Sequence, residues 1–203
     1  MINPVIHAIM NHSSVLETGE RTTGRNKIMN HRVTSKEQIL DRAMEIAIEE
    51  GIDAVNIRRL ALACNIAIGS VYNYFKDKDE IIEEVAERFW AGILADQEKV
   101  YRSGMEFTAF LEQYYRYLYG RLARYDKSWL MGMSGRSPEK DAIKLLQKVI
   151  REDRRVDRSI WNMELNEDAF CEYVMTNIMA LLRSGENNCR FFIFLLDHLL
   201  YHA

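Results

Sequence analysis

The 203 residues are 48% apolar and carry 27 basic against 30 acidic side chains, a formal net charge of −3. That is hydrophobic material enough for one large core or two small ones, and the mild acidity gives no global sign of a polyanion partner. The longest dense apolar run, residues 191–196, falls far short of the roughly 20 residues a membrane-spanning helix needs. Ten glycines and two prolines leave long periodic stretches unbroken, which favours an all-helical chain over alternating β-branched strands. Cys64, Cys171 and Cys189 are odd in number and show no Cys-x-x-Cys spacing, which argues against a disulfide framework or a zinc knuckle and fits a reducing cytoplasm.

Residues 1–33 form a polar lead, rich in Asn, His, Ser and Thr, without the basic start and apolar run of a secretory signal. It is expected to be mostly disordered. A second reading exists: Arg21, Arg25, Lys27 and Arg32 outnumber Glu17 and Glu20, and a basic arm can enter a minor groove. Thr34-Ser35-Lys36-Glu37 reads as a capping box with Thr34 as the cap. A helix then runs to about residue 50, with Ile39, Ala43, Ile46 and Ala47 as its inward stripe and Gly51 as its exit.

Residues 57–75 are the stretch around which the chain is organised. Ile57, Leu60, Ala61 and Cys64 repeat at i, i+3, i+4, i+7 behind Asn56, a natural N-cap. The pattern stops at Asn65, which tolerates the left-handed conformation of a tight turn. A second short helix buries Val71 and Phe75 and leaves small, polar and phenolic groups outward. Between residues 56 and 78 lie Arg58, Arg59, Lys76 and Lys78 against the single acid Asp77, so a local positive patch hides inside the acidic total.

The pattern Gly69-x-x-Tyr72-x-x-Phe75, with Val71 between, then Lys78 and the apolar helix start at Ile81, resembles the amino-terminal DNA-binding domain of the TetR family of bacterial transcription regulators. The likeness covers residues 34–82, and Met29 lies close to where such domains commonly begin, an alternative start for the chain. It implies a three-helix helix-turn-helix domain at 34–82 and a helical effector-binding and dimerisation domain at 83–203. It also implies that Asn56, Tyr72, Tyr74 and Lys78 donate to backbone phosphates, while Ile68, Gly69, Ser70 and Asn73, with Arg58 in addition, face the bases. Ile68 can alternatively pack on Val71. Two positions depart from the family pattern: Ala67 stands where a capping serine is common, and Asn65 where glycine is usual.

Further along, Ile81, Ile82, Val85, Ala86 and Phe89 mark a linking helix with acids in its first turn. Residues 106–125 are so aromatic that the helix is expected to be buried on more than one side. Tyr114, Tyr117, Trp129, Met131 and Met133 are candidates to line a pocket for an apolar, aromatic or cationic ligand, or to serve as plain core. Pro138, capped by Ser137, is expected to open the next helix. The run 151–158, with four arginines and three acids, reads as a solvated helix face or helix end. Two last helices are expected at about 167–183 and 188–202. Phe170, Val174, Ile178 and Leu181 form a stripe on the first, and residues 191–196 make the second apolar all round, beyond what a lone surface helix bears. The resemblance implies that these helices pair with a second copy, with Phe170, Val174, Asn177, Ile178, Leu181, Phe191, Phe194, Leu195 and His198 at the interface.

No Gly-x-Ser-x-Gly, phosphate-cradling glycine loop or His-Glu-x-x-His is present, and the i, i+4 pair His198/His202 has no evident third ligand. An enzyme, a metal or a cofactor is therefore not expected. The expected protein is a cytoplasmic regulator, a homodimer on an inverted-repeat operator in duplex DNA, released by a small effector. A nucleoid-organising or cell-division DNA binder of the same fold is the alternative.

Overall fold

The computed structural model describes residues 34–125, Trp129 and residues 139–201. The expectations for residues 1–33, Met131, Met133, Ser137, Pro138 and His202 lie outside them. The regular elements among the described residues are all helical, and none is long and apolar enough to cross a membrane. Two compact units result, Met1–Gly92 and Ile93–Ala203.

In the first unit, helix α1 (Lys36–Glu50) starts one residue later than the capping box at Thr34 predicts. Ser35 is the cap: its hydroxyl accepts the Gln38 amide at 3.2 Å, and Gln38 reaches back to the Ser35 amide at 3.4 Å. Gly51 ends the helix at φ 92°, ψ 158°, a backbone conformation costly for any residue with a Cβ. After a 3-10 turn over Ile52–Ala54, α2 (Ile57–Cys64) opens with the Asn56 side chain accepting the Arg59 amide at 3.0 Å. Asn65 closes α2 in the left-handed region (φ 55°, ψ 48°), and the Ile66 amide returns to the Ala61 carbonyl at 2.9 Å, a Schellman-type end.

The next helix, α3 (Ile68–Val71), has four residues and continues only as turns through Tyr74. Ala67 makes no side-chain cap, as its methyl group dictates. So short a helix has no stability of its own. It is held because Val71 and Phe75 are buried and the helix packs on α2, with Lys36 of α1 over the Phe75 ring, each large buried side chain contributing about 1.5–3 kcal/mol. Helix α4 (Lys78–Leu94) begins behind Asp77, whose carboxylate accepts the Glu80 amide at 3.0 Å. It buries Ile81, Ile82, Val85, Ala86 and Phe89, and Arg88 pairs with Asp41 of α1 at 2.9 Å.

In the second unit, α5 (Phe107–Leu122) is buried on several sides, from Phe107 through Tyr114 and Tyr115 to Leu122. Helices α6 (Glu139–Glu152), α7 (Glu167–Ser184) and α8 (Arg190–Tyr201) complete it. Asn166 caps α7 by accepting the Ala169 amide at 2.9 Å, and Gly185 ends it at φ 79°.

The 151–158 run holds the last two residues of α6 and the turn that follows, and it is more than a solvated face. The Arg158 guanidinium donates to the carbonyls of Ile150 and Asp153, both at 2.9 Å, and Arg151 at 3.2 Å, which are otherwise orphaned at the helix end. Asp153 is 1% exposed. Its carboxylate accepts the Phe107 amide (2.9 Å) and the Tyr201 hydroxyl (2.6 Å), and also the Arg155 amide (3.0 Å). Glu106, in the cap position of α5, makes no side-chain cap; Asp153 supplies it from a distant part of the chain. Burial pushes this carboxyl up, but the hydrogen bonds from Tyr201, from the Arg155 and Phe107 amides and from the Arg155 guanidinium outweigh it and hold it below its ordinary value.

Candidate nucleic-acid interface

Helix α3 and the turns that follow it sort their residues sharply. Val71 and Phe75 point inward and are fully covered, whereas Ile68 is 46% and Tyr72 54% exposed, and Gly69 and Asn73 face solvent. Ser70 is half-buried. Ile68 therefore does not hide on Val71. Lys76 and Lys78 are exposed just beyond, and Arg58 is exposed on α2. Arg59, by contrast, is paired with Glu50.

Gly69 is informative because nothing in the fold calls for it. A Cβ built there meets no atom within 4 Å, and its φ is not in the positive region. Glycine inside a helix costs about 1 kcal/mol against alanine. A glycine on an exposed face, free of any internal steric reason, leaves room for something outside the chain to come close.

Two of the expected phosphate donors are engaged within the protein. Asn56 uses its carbonyl oxygen as the α2 cap and donates one amide hydrogen to the Ala54 carbonyl at 3.2 Å, so it offers a single remaining N–H. The Tyr74 hydroxyl donates to the Thr34 carbonyl. In this structure its one proton is engaged inside the domain. Cys64, half-buried at the end of α2, is held as a thiol by burial, which raises its pKa.

The candidate ligand pocket does not take the shape expected. Tyr114 and Trp129 are buried, and the hydroxyls of Tyr114 and Tyr117 are bonded inside the protein, to Gln97 Oε1 at 2.7 Å and to the Ile93 carbonyl at 3.0 Å. Their rings stack at 6.2 Å with Phe110 adjoining, so they act as core that fixes residues 93–97. A cavity of about 550 Å³ lies elsewhere, lined by Ser103, Gly104 and residues 151–155.

The expected dimer residues also divide. Phe170, Val174 and Ile178 are buried in their own chain, Phe170 against Phe107 and Trp161 with ring centroids at 5.8 and 5.5 Å. In the single chain this stripe of α7 packs into its own core. Leu181 and Asn177 are half-buried, the latter donating to the Tyr173 carbonyl at 2.8 Å. On α8 the expectation and the geometry agree in placement: Phe191 (75% exposed), Phe194 (65%), Leu195 (48%) and His198 share an outward stripe with Leu199, which the sequence reading omitted. Tyr173, on α7, is another exposed aromatic it missed.

Two helices joined through a left-handed Asn65 turn, the second held by buried Val71 and Phe75 and braced by α1, define a helix-turn-helix domain. Residues 39–85 match the model of the bacterial regulatory proteins, tetR family. The match covers 47 of the 203 residues, the stretch that holds the helix-turn-helix. An uncharacterized HTH-type transcriptional regulator of Haemophilus influenzae is 36% identical over 78 residues, 38% of this chain and 40% of that protein. The HTH-type transcriptional repressor KstR2 of Rhodococcus jostii is 29% identical over 75 residues, 37% of each. The matches thus span about two fifths of these relatives. Among solved structures, BioQ with its double-stranded DNA operator shares the fold, with a TM-score of 0.60 at 20% identity over 82% of this chain and 98% of that one.

Proposed function

We propose that the protein is a sequence-specific transcriptional regulator, acting as a repressor, that binds an inverted-repeat operator in duplex DNA as a homodimer. The observation that carries this reading is the outward face of α3: Ile68, Gly69, Tyr72 and Asn73 stand free over a locked Val71/Phe75 floor, with a glycine whose space is empty. Gly69 lets a phosphate backbone or base edge approach. Asn73 suits a bidentate pair with adenine, worth about 1–3 kcal/mol of discrimination, and Ile68 suits a thymine methyl group. Tyr72, Lys78 and Arg58 supply donors for phosphates. The domain's kinship with KstR2, named a repressor, and the fold shared with BioQ, solved on its operator, support the same reading.

A second copy is supported by the α8 stripe, which leaves Phe191, Phe194 and Leu195 in water in a single chain. A two-fold dimer presents two α3 helices, hence a two-fold operator. Release by a small ligand gains no support from Tyr114 and Tyr117, whose hydroxyls are already satisfied. Selection of bound duplexes from a random pool tests the proposal. Enrichment of an inverted repeat is the expected result; no enrichment, together with no binding to any duplex at low salt, would overturn it.

A further inference from the structure

We propose that Ala67, Ile68 and Gly69 make the protein a reader of pyrimidine C5-methyl groups, so that its operator accepts 5-methylcytosine in place of thymine and rejects unmethylated cytosine there. The proposal rests on the DNA-binding reading above. These three residues open α3, and all three are exposed. None carries a side-chain hydrogen-bonding atom. Two of them cost the fold something. The exposed Ile68 leaves apolar surface in water, and Ala67 forgoes the side-chain cap that a serine or aspartate would supply. Neither choice is explained by stability, and both follow if an apolar group from outside the chain covers this edge.

The surroundings fix how that edge meets a base. Val71 is 0% and Phe75 1% exposed, so α3 sits on a closed floor and Ile68 has nowhere to sink. Its branched Cβ leaves one preferred rotamer on a helix, which gives a stiff surface rather than an adaptable one. Gly69 beside it has open space where a Cβ would stand, and a base edge can come up to the isoleucine there. Among the base edges of the major groove, the C5-methyl of thymine is the apolar group. 5-Methylcytosine carries the same methyl and differs by an amino donor in place of a carbonyl oxygen. Ala67, Ile68 and Gly69 have no side-chain atom with which to sense that difference. Discrimination by hydrogen bonding falls instead to Asn73, exposed further along the segment. Burying one methyl group corresponds to about fourfold in affinity, and to about fifteenfold over two half-sites.

The test uses the full chain and the operator selected from the random pool, its thymines exchanged one at a time for deoxyuridine, which lacks only the methyl group. In fluorescence anisotropy, one such exchange in each half-site is expected to weaken binding about fourfold, and the two together about fifteenfold. At the same position a C·G pair should bind weakly, and 5-methylation of that cytosine should recover about fourfold per half-site. Ile68→Ala places a good helix former at an exposed site and should keep the melting temperature. It is expected to erase the difference between thymine and deoxyuridine and that between cytosine and 5-methylcytosine. Asn73→Ala should weaken binding and leave both differences in place. An enriched operator in which no thymine responds to loss of its methyl group overturns the proposal and leaves the regulator reading standing. So does a response that Ile68→Ala retains in full. A wild-type chain that binds no duplex at low salt removes both.

Discussion

Replacing Asp153 by alanine removes one carboxylate that several groups share. The Tyr201 hydroxyl loses its acceptor at 2.6 Å and the Phe107 amide the nearer of its two acceptors at 2.9 Å, keeping the Tyr201 hydroxyl oxygen at 3.1 Å, while Arg155 keeps Glu106 at 2.6 Å. A donor left unsatisfied in a buried place costs about 1–3 kcal/mol, and with the weakened cap of α5 Asp153→Ala should destabilise the protein by about 2–4 kcal/mol. At about 2–4 °C per kcal/mol for a chain of this size, the melting temperature should fall by roughly 4–16 °C in a circular-dichroism or calorimetric scan at neutral pH. Because the folded carboxyl titrates below its ordinary value, its stabilising contribution is complete above the unfolded carboxylate pKa of about 4 and is lost as pH falls from there through the lower folded value. The gap between wild type and variant should therefore be flat above about pH 5 and narrow below it. A fall of under about 2 °C, or a gap that widens in acid, would refute the account of Asp153 as the remote cap of α5.

The other expectations concern the reading head and the α8 stripe. Gly69→Ala should leave the melting temperature unchanged or raise stability by up to about 1 kcal/mol, yet weaken operator binding at least about tenfold (1.4 kcal/mol); fluorescence anisotropy showing wild-type affinity would mean that no close approach occurs there. Lys78→Ala should lower the salt slope by about one on operator and random DNA alike, and an unaltered slope would remove its phosphate role. Phe194→Glu puts a charge into the exposed stripe and should convert dimer to monomer in light scattering after gel filtration; a dimer at the same concentration would place the self-association elsewhere.

Local chemistry was the legible part. Asn56, Asn65 and Gly51 act within a few residues of themselves, so the caps, the turn and the helix-turn-helix could be read directly. The start of α1 was misread by one residue because Thr34/Glu37 and Ser35/Gln38 are both sound capping boxes, and only burial of Thr34 decides between them. Periodicity announced an apolar face on α7 but could not say what covers it; Phe107 and Trp161 of the same chain do. Tyr74 and Asp153 were out of reach for the same reason. Their partners, Thr34 and Phe107, lie 40 and 46 residues away, and no spacing rule connects them.

That separation also bears on how the chain acquires its structure. In the reading head, the first bonds of α1 and α2 join residues three apart, Ser35 to Gln38 and Asn56 to Arg59, so these turns can form on the submicrosecond scale of helix growth. The Phe107 amide instead waits for residues 46 and 94 positions downstream. Loops of that length close at an entropic cost that contacts repay only late, which slows folding. The helix caps should therefore form ahead of the contacts between distant parts of each unit, Arg88 with Asp41 in the first and Phe107 with Asp153 in the second.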